Sequence, residues 1–305
     1  MRTRTVGSSS LTVSIVGVGC NNFGWRLDAS AAGDVVDAAI EAGITLFDTA
    51  ESYGDGESER FLGQALAGRR DQVVIATKFG WGSGRSDNSV ARGHPDYVRA
   101  AIDASLERLG TDHVDLYQYH RPDGVTPVEE TLGAMNELVE AGKVRFIGSS
   151  NFSGAQVEEA EAVSDARGIT RFVSAQNEYS WLEREVEAEL IPVCERLGIG
   201  LIPYFPLASG LLTGKYRRGE PEPSGTRLSG RLDVSDERWA RIEALEAFAS
   251  ERGVSLLDVA IGGLAAQTAV CSVIAGAMSP EQVRANSAAG EWKPSAAELE
   301  QLRAL

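Results

Sequence analysis

AAGDVVDAAIEAGITLFD (31 to 48) carries the pattern that decides the fold. In its first part apolar residues return at three- and four-residue intervals, which is helical spacing, and the segment stops on Gly43. A glycine just past a periodic segment supplies the left-handed cap that ends a helix. Ile44 to Asp48 then form a short apolar, β-branched run closing on a carboxylate, which is the signature of a strand.

Outward from this stretch the same unit recurs. Strand-like runs are VSIVGVG (13 to 19), ITLFD (44 to 48), VVIATK (73 to 78), VDLYQYH (114 to 120), VRFIGSSN (144 to 151), FVSAQ (172 to 176), GIGLIPY (198 to 204) and VCSVIAG (270 to 276). Helical segments lie between them, such as PVEETLGAMNELVEAGK stopping at Gly142 and EVEAELIPVCERLG stopping at Gly198. Alternating strands and helices imply parallel strands joined by crossover helices. An open doubly wound sheet usually has fewer strands, whereas a barrel needs eight, so the pattern predicts a (β/α)8 TIM barrel. RTVG and LTVSIV across a GSSS turn predict an N-terminal β-hairpin covering the barrel bottom, and SAAELEQLRAL predicts a C-terminal helix packed outside. No composition break divides residues 1 to 305, which are expected to form a single domain; 205 to 232 is a long Gly-, Pro-, Ser- and Arg-rich loop of the kind that is usually functional.

The 305 residues are 43% hydrophobic, enough to bury a large core, and carry a formal charge of −15. That acidity disfavours the phosphate-tracking mode of nucleic-acid binding. Cys20, Cys194 and Cys271 sit apart in apolar surroundings and read as buried thiols. Only His94, His113 and His120 are present, without a metal-ligand spacing, so no metal site is expected. No apolar run reaches the ~18 residues of a membrane span, and no leader is recognisable, so the expectation is a cytoplasmic protein without a membrane partner.

Polar side chains terminate the apolar runs: Asp48, Lys78, His120, Asn151, Gln176 and Tyr204. In a β/α barrel the carboxyl ends of the strands converge on one mouth, where active sites are built. Tyr53 follows Asp48 by five residues in DTAESYGDGESE, whose glycines let a loop fold back over that mouth. A tyrosine is a poor acid at neutral pH, but a nearby ammonium favours its phenolate, so Lys78 is expected to lower the pKa of Tyr53. Asp48 would keep Lys78 charged, and His120 would donate to the same carbonyl oxygen as Tyr53. Such a pair needs a source of electrons on the carbonyl carbon. Phe23, Trp25, Trp81 and Trp181 fall in loops on the same side and are candidates for an apolar substrate pocket, and GVGCNNFG (17 to 24) helps shape its mouth without satisfying a GxGxxG fingerprint.

From the hairpin to about residue 290 the chain resembles the aldo-keto reductase family. ITLFDTAESYGDGESERFLGQAL, VVIATKFG, VDLYQYHRPD, GKVRFIGSSNFS, SAQNEYS, PYFPLASGLLTGKY and AGAMSPEQVRAN carry the likeness. The resemblance implies the family's catalytic tetrad at Asp48, Tyr53, Lys78 and His120. It also implies that Ser150, Asn151 and Gln176 hold the carboxamide of a nicotinamide while Tyr204 stacks on its ring. PLASGLLTGK, with Pro206, Leu207, Ala208, Gly210 and Lys215, is similar to the family's pyrophosphate loop. Gly276 to Gln282, including Met278 and Ser279, opens a helix whose N-terminus favours a phosphate. Gln282 and Asn286 match positions contacting the adenosine, and Arg227 matches a phosphate-binding arginine that points to NADP(H), with NAD(H) the alternative. Ala285 stands where many relatives have Glu, and Met278 where a small polar or basic residue is common.

The function these residues imply is reduction of a small-molecule carbonyl, an aldehyde, ketone or open-chain sugar, by NADPH. The alternative is a nicotinamide-binding, redox-sensing regulatory subunit similar to the potassium-channel β subunits of the family. The complete tetrad and the lack of an added interaction segment in these residues favour the enzyme. A barrel isomerase or lyase acting on a phosphorylated substrate is the third possibility, and it predicts activity without nicotinamide.

Overall fold

The computed structural model describes residues 1–81, 90–221, 223, 226, 228, 230 and 232–305. Two short antiparallel strands open the chain, β1 (Thr3–Thr5) and β2 (Thr12–Ser14). Eight parallel strands follow: β3 (Val16–Gly19), β4 (Leu46–Asp48), β5 (Val74–Phe79), β6 (Val114–Tyr119), β7 (Val144–Ser150), β8 (Phe172–Gln176), β9 (Gly200–Leu201) and β10 (Val273–Gly276). Their order is β10-β3-β4-β5-β6-β7-β8-β9. The remaining seam is closed by hydrogen bonds from Leu201 N to Ala269 O (2.8 Å), Cys271 N to Leu201 O (2.9 Å) and Ile274 N to Pro203 O (3.1 Å). The result is an α/β (β/α)8 barrel, as the alternation of runs predicts.

Helices fill the crossovers: α1 (Ala29–Glu41), α2 (Glu57–Ala65), α3 (Pro95–Leu109), α4 (Val128–Glu140), α5 (Gly154–Arg167), α6 (Leu190–Leu197), α7 (Asp236–Glu251), α8 (Leu256–Ala265) and α9 (Pro280–Ala289), with α10 (Ala296–Ala304) after the barrel. Ser153, Ser255 and Ser295 cap α5, α8 and α10 with reciprocal side-chain and backbone bonds that satisfy first-turn donors. Two apolar layers result. The larger lies between strands and helices, while a smaller one joins Val6, Leu11 and Val13 of the hairpin to Leu46, Ala76, Leu116 and Ile274 of the strands. The hairpin thus plugs one end of the barrel.

Two runs are divided more finely than their composition suggests. Residues 13 to 19 contribute to both β2 and β3, because the Ser14 hydroxyl donates to Val16 O (2.6 Å) and accepts from Thr45 N (2.9 Å), turning the chain from the hairpin into the barrel. In 198 to 204 only Gly200–Leu201 pairs as a strand: Pro203 has no N–H to give a ladder, and Phe205 has a left-handed φ of 53°. Among the described residues no helix is long and apolar enough to cross a membrane.

The helix after the Tyr53 loop is seated by a missing side chain. A Cβ at Gly63 in α2 would lie 2.4 Å from the carbonyl oxygen of Leu109, at the end of α3. Alanine is intrinsically the better helix former by about 1 kcal/mol, yet overpacking against backbone costs about 1–3 kcal/mol. Gly63→Ala is therefore expected to lower the urea midpoint of unfolding. A variant as stable as the parent would show that α2 and α3 do not approach this closely.

Candidate active site

Successive residues of a strand face opposite sides, so positions two apart share a face. Leu46, Ala76 and Leu116 belong to the inner apolar layer, and two residues further along the same strands stand Asp48, Lys78 and Gln118. This step turns an apolar floor into a buried polar ring at the mouth. Lys78 is fully buried, and its ammonium donates to Asp48 Oδ2 (2.6 Å), Thr49 O (2.8 Å) and Tyr53 OH (3.2 Å). The other carboxylate oxygen of Asp48 accepts from Gln176 Nε2 (2.8 Å) and Gln118 Nε2 (3.3 Å).

Tyr53 begins a tight turn in which Gly54, Asp55 and Gly56 have φ of 56°, 54° and 90°. This left-handed path is open to glycine and tolerated by aspartate. The turn sets the phenol at the Lys78 ammonium, with His120 edge-on at 5.9 Å between ring centroids. Trp81 packs on His120 as well, 4.8 Å between centroids, and carries the Arg121 guanidinium over its own ring.

Burial pulls the Lys78 ammonium toward its neutral form, but Asp48 and Tyr53 overcome this and hold its pKa above the usual value. Tyr53 departs from expectation. Burial raises its pKa, and the opposing pull of Lys78 does not offset that, so the phenol is a weaker acid than free tyrosine in this state. His120 is driven to about 2 by burial and then by the positive charges of Lys78 and Arg121. Its imidazole is neutral, and its Nδ1 is buried without a hydrogen-bond partner.

A cavity of about 920 Å³ runs from Asp48, Tyr53, Trp81 and His120, past Ser150, Asn151, Gln176 and Tyr204, to Gln282 and Asn286. Pro206, Leu207, Gly210, Lys215, Gly276 and Met278 line it as well. Ala208 is buried behind this wall, and Ser279 caps α9 by accepting from Gln282 N (3.4 Å). Asn151, with φ 58°, donates from Nδ2 to His120 O (2.9 Å) and accepts from Tyr204 OH (2.8 Å), so much of its amide ties the mouth together. Arg227 lies outside the described residues.

The aromatic candidates separate. Trp81 lines the cavity, whereas Trp25 is 64% exposed and not part of its wall. Phe23 does not reach the pocket: the loop closes on itself, Phe23 N to Cys20 O (3.0 Å) and Gly24 N to Leu27 O (3.0 Å), and turns the ring into the core. Trp181 is also buried and donates to Val259 O (2.9 Å). Composition marks an aromatic, not the side to which its loop turns it. Asn21 and Asn22 line the cavity from the GVGCNNFG stretch, and so do residues not singled out above, among them Arg26, Ser52, Asp55, Phe205, Ser209, Thr213 and Leu257. Ser52 and Asp55 flank Tyr53 in sequence, so spacing alone could have located these two; Gln118, two before His120, is missing from the wall and acts on Asp48 instead.

A profile of the aldo/keto reductase family matches residues 15–305. The chain belongs to the aldo/keto reductase family. It is 37% identical over 298 residues to a probable voltage-gated potassium channel subunit beta of Oryza sativa subsp. japonica, covering 94% of this chain and 90% of that one. A protein of the same description from Arabidopsis thaliana is 36% identical over 307 residues, covering 96% and 92%. An uncharacterized oxidoreductase of Bacillus subtilis, YrpG, is 36% identical over 292 residues, covering 92% and 88%. Membership in an oxidoreductase family agrees with a mouth that gathers a phenol, an ammonium, a carboxylate and an imidazole at the end of a long cavity.

The His120 value has a measurable consequence. An unfolded chain takes up a proton near pH 6.5 that the native imidazole declines, so between about 6.5 and 2 acidification costs stability at this residue. Its ring-proton NMR resonance is expected to stay flat from pH 8 to 5. A titration with a midpoint near 6 would mean that the ring is far wetter than this geometry allows.

Proposed function

We propose that the chain is an NADP-dependent carbonyl reductase acting on an aldehyde, ketone or open-chain sugar, with Tyr53 as proton donor. The observation that carries this reading is the Tyr53–Lys78–Asp48 chain of hydrogen bonds, at 3.2 and 2.6 Å, opening with His120 into one end of the cavity.

Residues along the cavity suit a dinucleotide. Asn22 is 4% exposed, faces this space and has a buried Oδ1 without a partner. At 208 to 210 the backbone takes three consecutive left-handed conformations, beside the Lys215 ammonium. The Ala208 and Gly210 amides of this turn donate to Phe205 O (2.9 Å) and Leu207 O (2.8 Å), so the charge the loop offers an anion comes from Lys215. Ser150, Asn151 and Gln176 would hold the nicotinamide carboxamide against the Tyr204 ring; Pro206 to Gly210 with Lys215 would hold the pyrophosphate. Met278, Gln282 and Asn286 would hold the adenosine, and Arg227 the 2′-phosphate. A dihydronicotinamide bound there supplies hydride to the carbonyl carbon.

The protein's part is to stabilise and protonate the oxygen. Neutral His120 donates a hydrogen bond to it, and Tyr53 transfers its phenolic proton as negative charge develops. Lys78 lies 3.2 Å from the phenol oxygen and stabilises the phenolate left behind, while Asp48 keeps the ammonium in place. General-acid help of this kind is worth ~10² to 10⁴ in rate.

Two relatives are named as probable potassium channel β subunits, which supports a second reading, a nicotinamide-binding regulatory subunit with slow turnover. Steady-state reduction of a nitrobenzaldehyde separates the two, since a sensor holds NADPH and barely turns it over.

Tyr53→Phe is expected to lower carbonyl reduction by at least ~10² with NADPH affinity nearly intact. Turnover like that of the parent would defeat the proton-donor role. Arg227→Ala should weaken NADPH binding and leave NADH binding little changed, measured by titrating both cofactors in parallel. Equal losses would place the 2′-phosphate contact on another residue.

A further inference from the structure

Outside the tetrad, one side chain joins the segments that carry it. Glu51 lies two residues before Tyr53, and its Oε1 accepts from Gly80 N (2.8 Å), two residues after Lys78. The same oxygen accepts from the Tyr97 hydroxyl on α3 (2.8 Å), and that hydroxyl accepts in turn from Arg92 Nη1 (2.5 Å). The backbone cooperates: Thr49 N donates to Ala76 O (2.9 Å) and Glu51 N to Lys78 O (3.1 Å), carrying the β4–β5 ladder past the end of β4. Beyond these bonds the Tyr53 amide makes only a local bond, back to Ala50 O (3.1 Å).

We propose that Glu51 is a positioning residue, a clamp that sets the Tyr53 phenol against the Lys78 ammonium and fixes the Gly80 turn that lays Trp81 on His120. The inference rests on the proposed reductase reading. One oxygen is anchored by α3 from outside and holds both edges of the catalytic mouth. Gly80 has a φ of 93°, so the direction in which Trp81 leaves β5 depends on this turn. Trp81 in turn packs 4.8 Å from the His120 ring. The Tyr53–Lys78 contact, at 3.2 Å, is the longest of the three made by the ammonium and the one most sensitive to slack in the loop.

The charged and titratable groups around the clamp are Tyr97, Arg92, Glu59 and Tyr117, and those around the phenol are Lys78, Asp48, Cys20, His120 and Tyr204. None of the first set touches Tyr53, so an effect of Glu51 on the phenol passes through the loop.

The test is Glu51→Ala, with Glu51→Gln as the conservative partner whose amide oxygen can still accept both bonds. Alcohol oxidation needs the phenolate, so its rate rises with pH through the Tyr53 ionisation, and that limb reports the Lys78 contact. In Glu51→Ala we expect kcat to fall about tenfold, cofactor Kd to stay within about twofold, and the limb to move up by about half a pH unit. Glu51→Gln should recover most of kcat and the original limb. An unaltered kcat overturns the proposal, as does a lower kcat with an unmoved limb, which is what a merely structural role would give. If Glu51→Ala does not fold, Tyr97→Phe decides: a smaller shift of the limb in the same direction supports the clamp, and none overturns it. A parent protein that binds NADPH and reduces carbonyls while these variants match it sinks the clamp alone. A parent that does neither sinks the reductase reading and the clamp with it.

Discussion

The ammonium of Lys78 is the constraint around which the mouth of the barrel is arranged. It is fully buried and has three acceptors, Asp48 Oδ2, Thr49 O and Tyr53 OH, all from β4 and the loop after it. A buried charge persists only when paired and fully hydrogen-bonded, and removing one partner of such a pair costs about 3–5 kcal/mol. That cost dictates the rest. Asp48 must be present and oriented, which occupies the amides of Gln118 and Gln176. The Tyr53 turn must come close enough to complete the shell. The same positive charge, added to burial, keeps His120 neutral.

The barrel meets these demands through alternation. On β4, β5 and β6 the inward-facing position below the mouth is apolar and the next one on the same face is polar, so Leu46, Ala76 and Leu116 lie beneath Asp48, Lys78 and Gln118. Outward-facing neighbours serve different partners. Thr77, beside Lys78, donates to the buried Glu59 of α2 (2.5 Å), which also accepts from Arg108 (2.6 Å). The helix following the Tyr53 loop is therefore fastened to the very strand that presents the lysine, which holds the far end of that loop.

Much of this was legible in sequence because it depends on periodicity and spacing. Apolar runs ending in polar residues locate the mouth, and glycines after helical segments mark where each crossover stops. What sequence did not reveal depends on three-dimensional closure. The inward turn of Phe23 follows from hydrogen bonds within one loop, and the burial of Trp181 from its packing against α8. Glu51 reads in sequence as one more acid in an acidic loop; its partners Gly80 and Tyr97 lie 29 and 46 residues away. A strand shortened to Gly200–Leu201 likewise reflects Pro203 and a left-handed Phe205 more than the hydrophobicity of its run.

The Tyr53 phenol shows why charge proximity alone is a poor guide in such a site. A neighbouring ammonium favours phenolate, but the phenolate would also have to leave water, and Asp48 cancels part of the lysine's field. The net effect is a phenol that keeps its proton throughout the neutral range. In the proposed reaction this is an advantage, because reduction must start from the protonated side chain. The lysine then matters later in the step, when the proton has moved and the phenolate has to be accommodated in a buried place. Groups that stabilise charge only as it forms accelerate a reaction, whereas stabilising it beforehand would leave Tyr53 ionised and without a proton to give. Lys78 offsets part of what burial costs the phenolate, so the conjugate base is less unfavourable here than it would be beside no ammonium.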